Sequence, residues 1–116
     1  MANTFKNSFK KNLSTSAPGT VVVSADNVVK ILIGLQLTNT GSSEVKSTVS
    51  LFDYSVTGAY DSGDEMVLLN LLAVPPNSMI SVLVGDKIVF EANDFLSVQS
   101  DTSSALNAFA SYLEIT

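Results

Sequence analysis

The chain contains no cysteine, no histidine, no arginine and no tryptophan. Without cysteine there are no disulfides, no thiolate metal sites and no cysteine nucleophile. Without histidine the commonest general base, metal ligand and pH switch near neutrality are all missing. All six basic residues are lysines, so no planar guanidinium can grip a phosphate or carboxylate in two places. Charge is scarce as well: 15% of residues are charged, against about 25% in an ordinary soluble domain. Eleven acidic residues against six lysines leave a net charge of −5, which argues against nucleic acid as a partner. The longest apolar stretch, residues 66–84, is interrupted by Asn70, Pro75, Pro76, Asn77 and Ser78. No membrane span is read from it, and no membrane partner is expected. No apolar run follows the lysines of residues 1–11 before Ser14, Thr15 and Ser16, so no signal peptide is read. The chain is expected to act inside a cell or to leave it by lysis.

What remains is 116 residues, 46% of them hydrophobic, enough for one domain with its own core. Serine, threonine and asparagine take the place of charge. Such surfaces supply hydrogen bonds at low desolvation cost and suit packing against neighbours. Residues 1–19 stand apart, holding Lys6, Lys10 and Lys11 and no acid. Phe5, Phe9 and Leu13 follow one another at intervals of four, which places them on one face of a short helix. Pro18-Gly19 ends the segment. The reading is an N-terminal arm over residues 1–19 and a β-domain over residues 20–116. The three apolar residues of the arm either pack back onto the chain's own core or dock on a neighbour.

From residue 20 the pattern is that of strands. Residues 28–38 give the clearest one, with Val29, Ile31, Ile33, Leu35 and Leu37 on one face, and Lys30, Leu32, Gly34, Gln36 and Thr38 on the other. Gly34 in mid-strand marks a bulge or a close backbone approach. Further strands are expected at 20–24, 45–54, 66–74, 79–84, 87–91, 95–99 and 105–115, with turn residues between them. Residues 66–74, apolar except for Asn70 and ended by Pro75-Pro76, read as a buried strand. If they are exposed instead, they form a contact site of their own. Gly85-Asp86 reads as a tight turn between two strands. The fold class is all-β: a small antiparallel sandwich or jelly roll of about eight strands with an N-terminal arm.

Chemistry-bearing clusters are few. Asp61, Asp64 and Glu65 share a loop, but their spacing does not match a calcium-binding EF-hand, and a solvated acidic turn is favoured. Asp86, Glu91 and Asp94 offer carboxylates at neighbouring turns without tryptophan platforms for a sugar. Ser47 directly follows Lys46, and on a strand the two side chains point to opposite faces. No phosphate-cradling glycine loop is present. No catalytic residue, cofactor site or metal site is assigned. A ligand-binding module of the carbohydrate-binding kind is the alternative, with Tyr54 and Tyr60 as its candidate platform.

Several stretches resemble the small virion structural proteins of tailed bacteriophages. They are Thr4-Phe5-Lys6-Asn7, then Ile33-Gly34-Leu35-Gln36-Leu37-Thr38-Asn39-Thr40-Gly41, then Pro75-Pro76-Asn77-Ser78 with the strands and turns running from Val82 to Asp94, and the ending Ser111-Tyr112-Leu113-Glu114-Ile115. They occur in the same order and cover most of the chain. The resemblance implies a β-rich, non-enzymatic subunit used in many copies on a particle. It implies location in the virion after assembly in the host cytoplasm, as capsid decoration or as a tail, neck or fibre component. Partners would be other virion proteins and further copies of itself, a trimer being one form. The interface residues expected from the arm are Phe5, Lys6, Phe9, Lys10, Lys11 and Leu13.

Overall fold

The computed structural model describes residues 3–13, 15, 19–53, 65–83 and 87–116. Among them are nine strands: β1 (Asn3–Lys10), β2 (Gly19–Val23), β3 (Val29–Asn39), β4 (Val45–Phe52), β5 (Glu65–Val74), β6 (Ser78–Leu83), β7 (Ile88–Phe90), β8 (Phe95–Ser100) and β9 (Leu106–Ile115). Every pairing is antiparallel. The first sheet runs β1-β9-β3-β6, with β7 also on β3; the second runs β2-β8-β4-β5.

One pairing rule generates most of this. Asn3 lies opposite Ile115, Gly19 opposite Val98, Leu32 opposite Ile88, Leu35 opposite Leu83, Val45 opposite Val74, and Phe52 opposite Glu65. All these pairs straddle the same stretch of chain, between Phe52 and Glu65. The chain is therefore one long hairpin, β1 to β4 outward and β5 to β9 back. Rolling it up brings β9 against β3 and β8 against β4. Successive strands cross between the sheets except at β4–β5 and β6–β7, which is the jelly-roll form of the sandwich expected from the sequence.

Period-two alternation fills the core. Leu106, Ala108, Ala110 and Tyr112 of β9 are buried, facing Leu96 and Val98 of β8 and Val45 and Val49 of β4 across the sandwich. Asparagines absorb the sharp turns: Asn27, Asn77 and Asn93 all have positive φ, which their short side chains tolerate.

Bulges change which residues face inward. The register of β3 against β9 shifts between Leu32 and Gly34, the position where a mid-strand glycine signalled irregularity. As a result Leu32 is buried and Ile33 is exposed, so the single face expected for Ile31, Ile33 and Leu35 is broken at the bulge. A second shift, between Thr20 and Val22 of β2, lets Val21 and Val22 both be buried.

Four further expectations are corrected. Residues 3–10 form a strand rather than a helix, paired along its full length with β9, and this adds a ninth strand to the expected eight. An interval of four is even, so Phe5 and Phe9 share a face on a strand as they would on a helix. Residues 3–13 are laid into the same sandwich as the rest, not held apart as an arm. Strand β5 exists but is exposed over most of its length, because it lies at the edge of the second sheet. Finally, β6 and β7 do not pair with each other; both run antiparallel to β3 on the side away from β9.

Candidate functional site

The register defines the outer face of the first sheet row by row. Phe5 is opposite Leu113, Leu113 opposite Ile31, and Ile31 opposite Val89. These four form an apolar ridge across β1, β9, β3 and β7. One step along the strands, Asn7 is opposite Ser111 and Ser111 opposite Gly34. Along this row of short side chains runs a trough of about 240 Å³ lined by Phe5, Lys6, Asn7, Ile33, Phe109, Ser111 and Tyr112. Beyond it Phe9 is opposite Phe109, a second ridge. On the other flank Ile115 is opposite Val29. Phe5 is 74% exposed and Phe9 59%.

The charges of these strands stand elsewhere. Lys6 lies opposite Tyr112 and Lys10 opposite Ala108, both inward-facing positions. Lys30 and Glu114 are opposite each other on the inward side. Among the described residues, no charged residue stands at an outward register position of these strands, although Lys6 is among the residues lining the trough and the exposed Lys11, Lys87 and Glu91 flank the ends of β1 and β7. A strand sends neighbouring side chains to opposite faces, so Phe5 and Lys6, which look like one mixed motif in the sequence, are separated by the backbone.

The inward rim holds a small electrostatic cluster. Lys6 Nζ lies 2.7 Å from Glu114 Oε2, and Lys30 Nζ sits 4.6 Å from the centre of the Tyr112 ring. The hydrogen bond from Lys6 holds the Glu114 carboxyl below the usual carboxylate range against an opposing desolvation, with the charges of Lys6 and Lys30 adding to it. The same hydrogen bond raises Lys6. A lowered carboxylate stabilises the fold above its ordinary value, and that stabilisation is lost as pH falls through the lowered one. Glu114→Gln is therefore expected to be less stable than wild type at pH 7, with the gap narrowing as pH falls below the ordinary carboxylate range. Urea denaturation at several pH values checks this, and a gap constant with pH would refute it.

The residues expected at an interface thus part company. Phe5 and Phe9 are exposed on the outer face, and Lys11 is exposed beyond β1. Lys6 is committed to Glu114 within the chain. Leu13 is a correction: it is 1% exposed and belongs to the core. Its amide donates to Leu106 O at 2.9 Å, and its carbonyl accepts from Ser104 N at 3.3 Å. Of the carboxylates near the later turns, Asp94 is buried and its Oδ2 accepts from the Glu91 amide at 3.0 Å, a turn-closing role. Tyr54, Tyr60, Asp61, Asp64 and Asp86 lie outside the described residues. Among the described residues no three acidic side chains gather as metal ligands.

The sequence reading did not find Leu113, Ile31, Val89 and Phe109 as surface residues. The run Met66, Val67, Leu68 and Leu71 on β5 is a second exposed apolar set. Leu71 also has a positive φ of 57°, an outlier for a branched residue. It sits where the pairing of β4 with β5 shifts register.

No family model matches the chain, and no curated protein matches it. Solved structures do. One comes from Bacillus endospore appendages, described as a family of disulfide-linked pili: 12% identity, 98% of this chain, 88% of the other, TM-score 0.51. A pentameric capsid protein from metagenomic phage sequences matches at 14% identity over 95% of this chain and 59% of the other, TM-score 0.40. Xylanase 10B modules from Clostridium thermocellum match at 12% identity over 97% of this chain and 24% of the other, TM-score 0.36. At these identities the appendage likeness is one of fold: the chain shares a β-sandwich architecture with a pilus protein.

Proposed function

We propose that this chain is a non-enzymatic structural subunit of a bacteriophage virion, which self-associates and docks on the particle as capsid decoration or as a tail, neck or fibre component. The observation that carries the reading is the outer face of the first sheet, where an apolar ridge borders a trough and no outward strand position among the described residues holds a charged side chain. A face turned permanently to water in a chain of net charge −5 has no physical reason to exclude every charged side chain, whereas the centre of a protein interface does. The order of the tailed-phage resemblances supports the particle, and the fold likeness to a pilus protein fits a subunit that assembles. The pilus protein is described as disulfide-linked; with no cysteine, this chain would hold its neighbours by packing alone.

The test is copy number per purified virion, by quantitative mass spectrometry against the major capsid protein. Hundreds of copies are expected for capsid decoration, and a few to a few dozen for a tail, neck or fibre part. Absence from purified particles would overturn the proposal.

A further inference from the structure

We infer that two copies of this chain pack back to back through the outer faces of their first sheets, the Leu113–Ile31 ridge of each copy seated in the Ser111–Gly34 trough of the other. The inference rests on the self-association proposed above and names its surface. The geometry follows from the rows. They run across the strands in the order Asn3–Ile115–Val29, then Phe5–Leu113–Ile31–Val89, then Asn7–Ser111–Gly34, then Phe9–Phe109–Gln36–Ser81. A two-fold axis parallel to the rows, midway between the second and third, maps the set of four onto itself. Each ridge then lies over the partner's trough, with Phe9 over the partner's Asn3, Phe109 over its Ile115 and Gln36 over its Val29. Like meets unlike in height, and at the flanks Phe109 packs on Ile115 while Phe9 meets Asn3 and Gln36 meets Val29.

Three observations make a second copy the fitting occupant. The first is charge: two bodies of −5 each approach most easily through a face whose outward strand positions hold no charged side chain. The second is area. The five strands of the first sheet, β1, β9 and β3 long and β6 and β7 short, at about 4.8 Å spacing and about 3.4 Å per residue present on the order of 600 Å² per copy, so a pair buries about 1,200 Å², the lower bound of stable interfaces. The third is Gly34. A Cβ there would meet only the Ser111 Cβ, at 3.9 Å, so packing within the subunit does not require glycine. Its missing side chain is what leaves the trough open to the partner's Ile31.

Gly34→Leu is the discriminating variant, because it fills the trough from within a fold that has room for it. Phe5→Asn, at an exposed position, is the second. Sedimentation of the full chain at about 100 μM, a hundred times a micromolar dissociation constant, is expected to show a dimer unaffected by high salt. Both variants are expected to keep the wild-type circular dichroism, to match its thermal midpoint at dilutions where wild type is monomeric, and to weaken the dimer about tenfold or more. A wild-type oligomer unchanged by both would overturn this face while leaving self-association standing. A wild-type monomer would overturn the inference and the self-association it rests on, while the copy-number measurement would still decide the virion role. Loss of particle attachment by the variants without any dimer would assign the face to another virion protein, and would also overturn the inference.

Discussion

Replacing Asn39 by alanine is expected to lower stability by about 2–4 kcal/mol, through buried backbone groups left without partners. Asn39 ends β3 and is 1% exposed. Its Nδ2 donates to Ser43 O at 2.8 Å and to Val74 O at 3.0 Å, and its Oδ1 accepts from the Gly41 amide at 2.9 Å. One side chain thus closes the turn after β3 and ties the first sheet to the far end of β5 in the second. Water can replace it at the exposed Ser43, but Val74 is fully buried, so that loss is not compensated. Asn39→Asp separates the contributions. It keeps the acceptor for Gly41 and turns two donated bonds into oxygen facing oxygen, with a buried charge added. It is therefore expected to be worse than Asn39→Ala at pH 7 and to recover in part as the carboxylate protonates in acid. Chemical denaturation of both variants at pH 7 and about pH 4 checks this. Equal stabilities of the two at both pH values would contradict the hydrogen-bond assignment.

The second large effect separates two residues that look equivalent in the sequence. Leu13→Ala is expected to cost about 2–5 kcal/mol, as for a close-packed core leucine, whereas Phe5→Ala is expected to change stability by only about 0.5 kcal/mol. The chain leaves β1 through Asn12, which has a φ of 55° and whose amide donates to Asn107 Oδ1 at 2.8 Å. That turn swings Leu13 between the sheets. It packs so tightly there that a Cβ on Gly19 would come within 2.8 Å of Leu13 Cδ2. If Phe5→Ala proved the more damaging of the two, the placement of β1 as an edge strand with an exposed outer face would be wrong.

These two residues show how far the sequence could be read. Alternation in residues 28–38, the turn asparagines and the apolar ending were enough for an antiparallel sandwich, because period two and turn chemistry are local properties. The N-terminal segment misled because intervals of four satisfy both a helix and a strand. Only the pairing with β9, about a hundred residues away along the chain, decides between them. Once β1 is a strand, two of the lysines that seemed to rim a docking motif, Lys6 and Lys10, turn to the opposite side from Phe5 and Phe9. Residues 66–74 misled differently. Apolar content says that a strand avoids water, but not whether its own chain supplies the cover, and β5 lies at an edge. The outer face of the first sheet was not legible because its rows draw one residue from each of three or four strands, a neighbourhood that exists only after the register is set. Gly34 was marked as irregular from its type alone, yet its position beside Ser111 needed the bulge and the register together.

The nested pairing has a consequence for the order in which the molecule can form. Loop-closure entropy grows with the length of chain to be closed. Strands β4 and β5, nearest the fold point, therefore meet most cheaply, and β1 and β9 are the costliest pair to bring together. Folding of this kind proceeds like a zip from the middle of the chain outward and belongs with the slow, high-contact-order β-proteins. Phe5 and Phe9 lie on β1, ahead of all the other strands along the chain, yet they gain their place last, when β9 is complete. The ridge-and-trough surface thus exists only on a finished subunit. A nascent or truncated chain lacks it, so the order of folding itself would keep incomplete subunits out of an assembly built through that face.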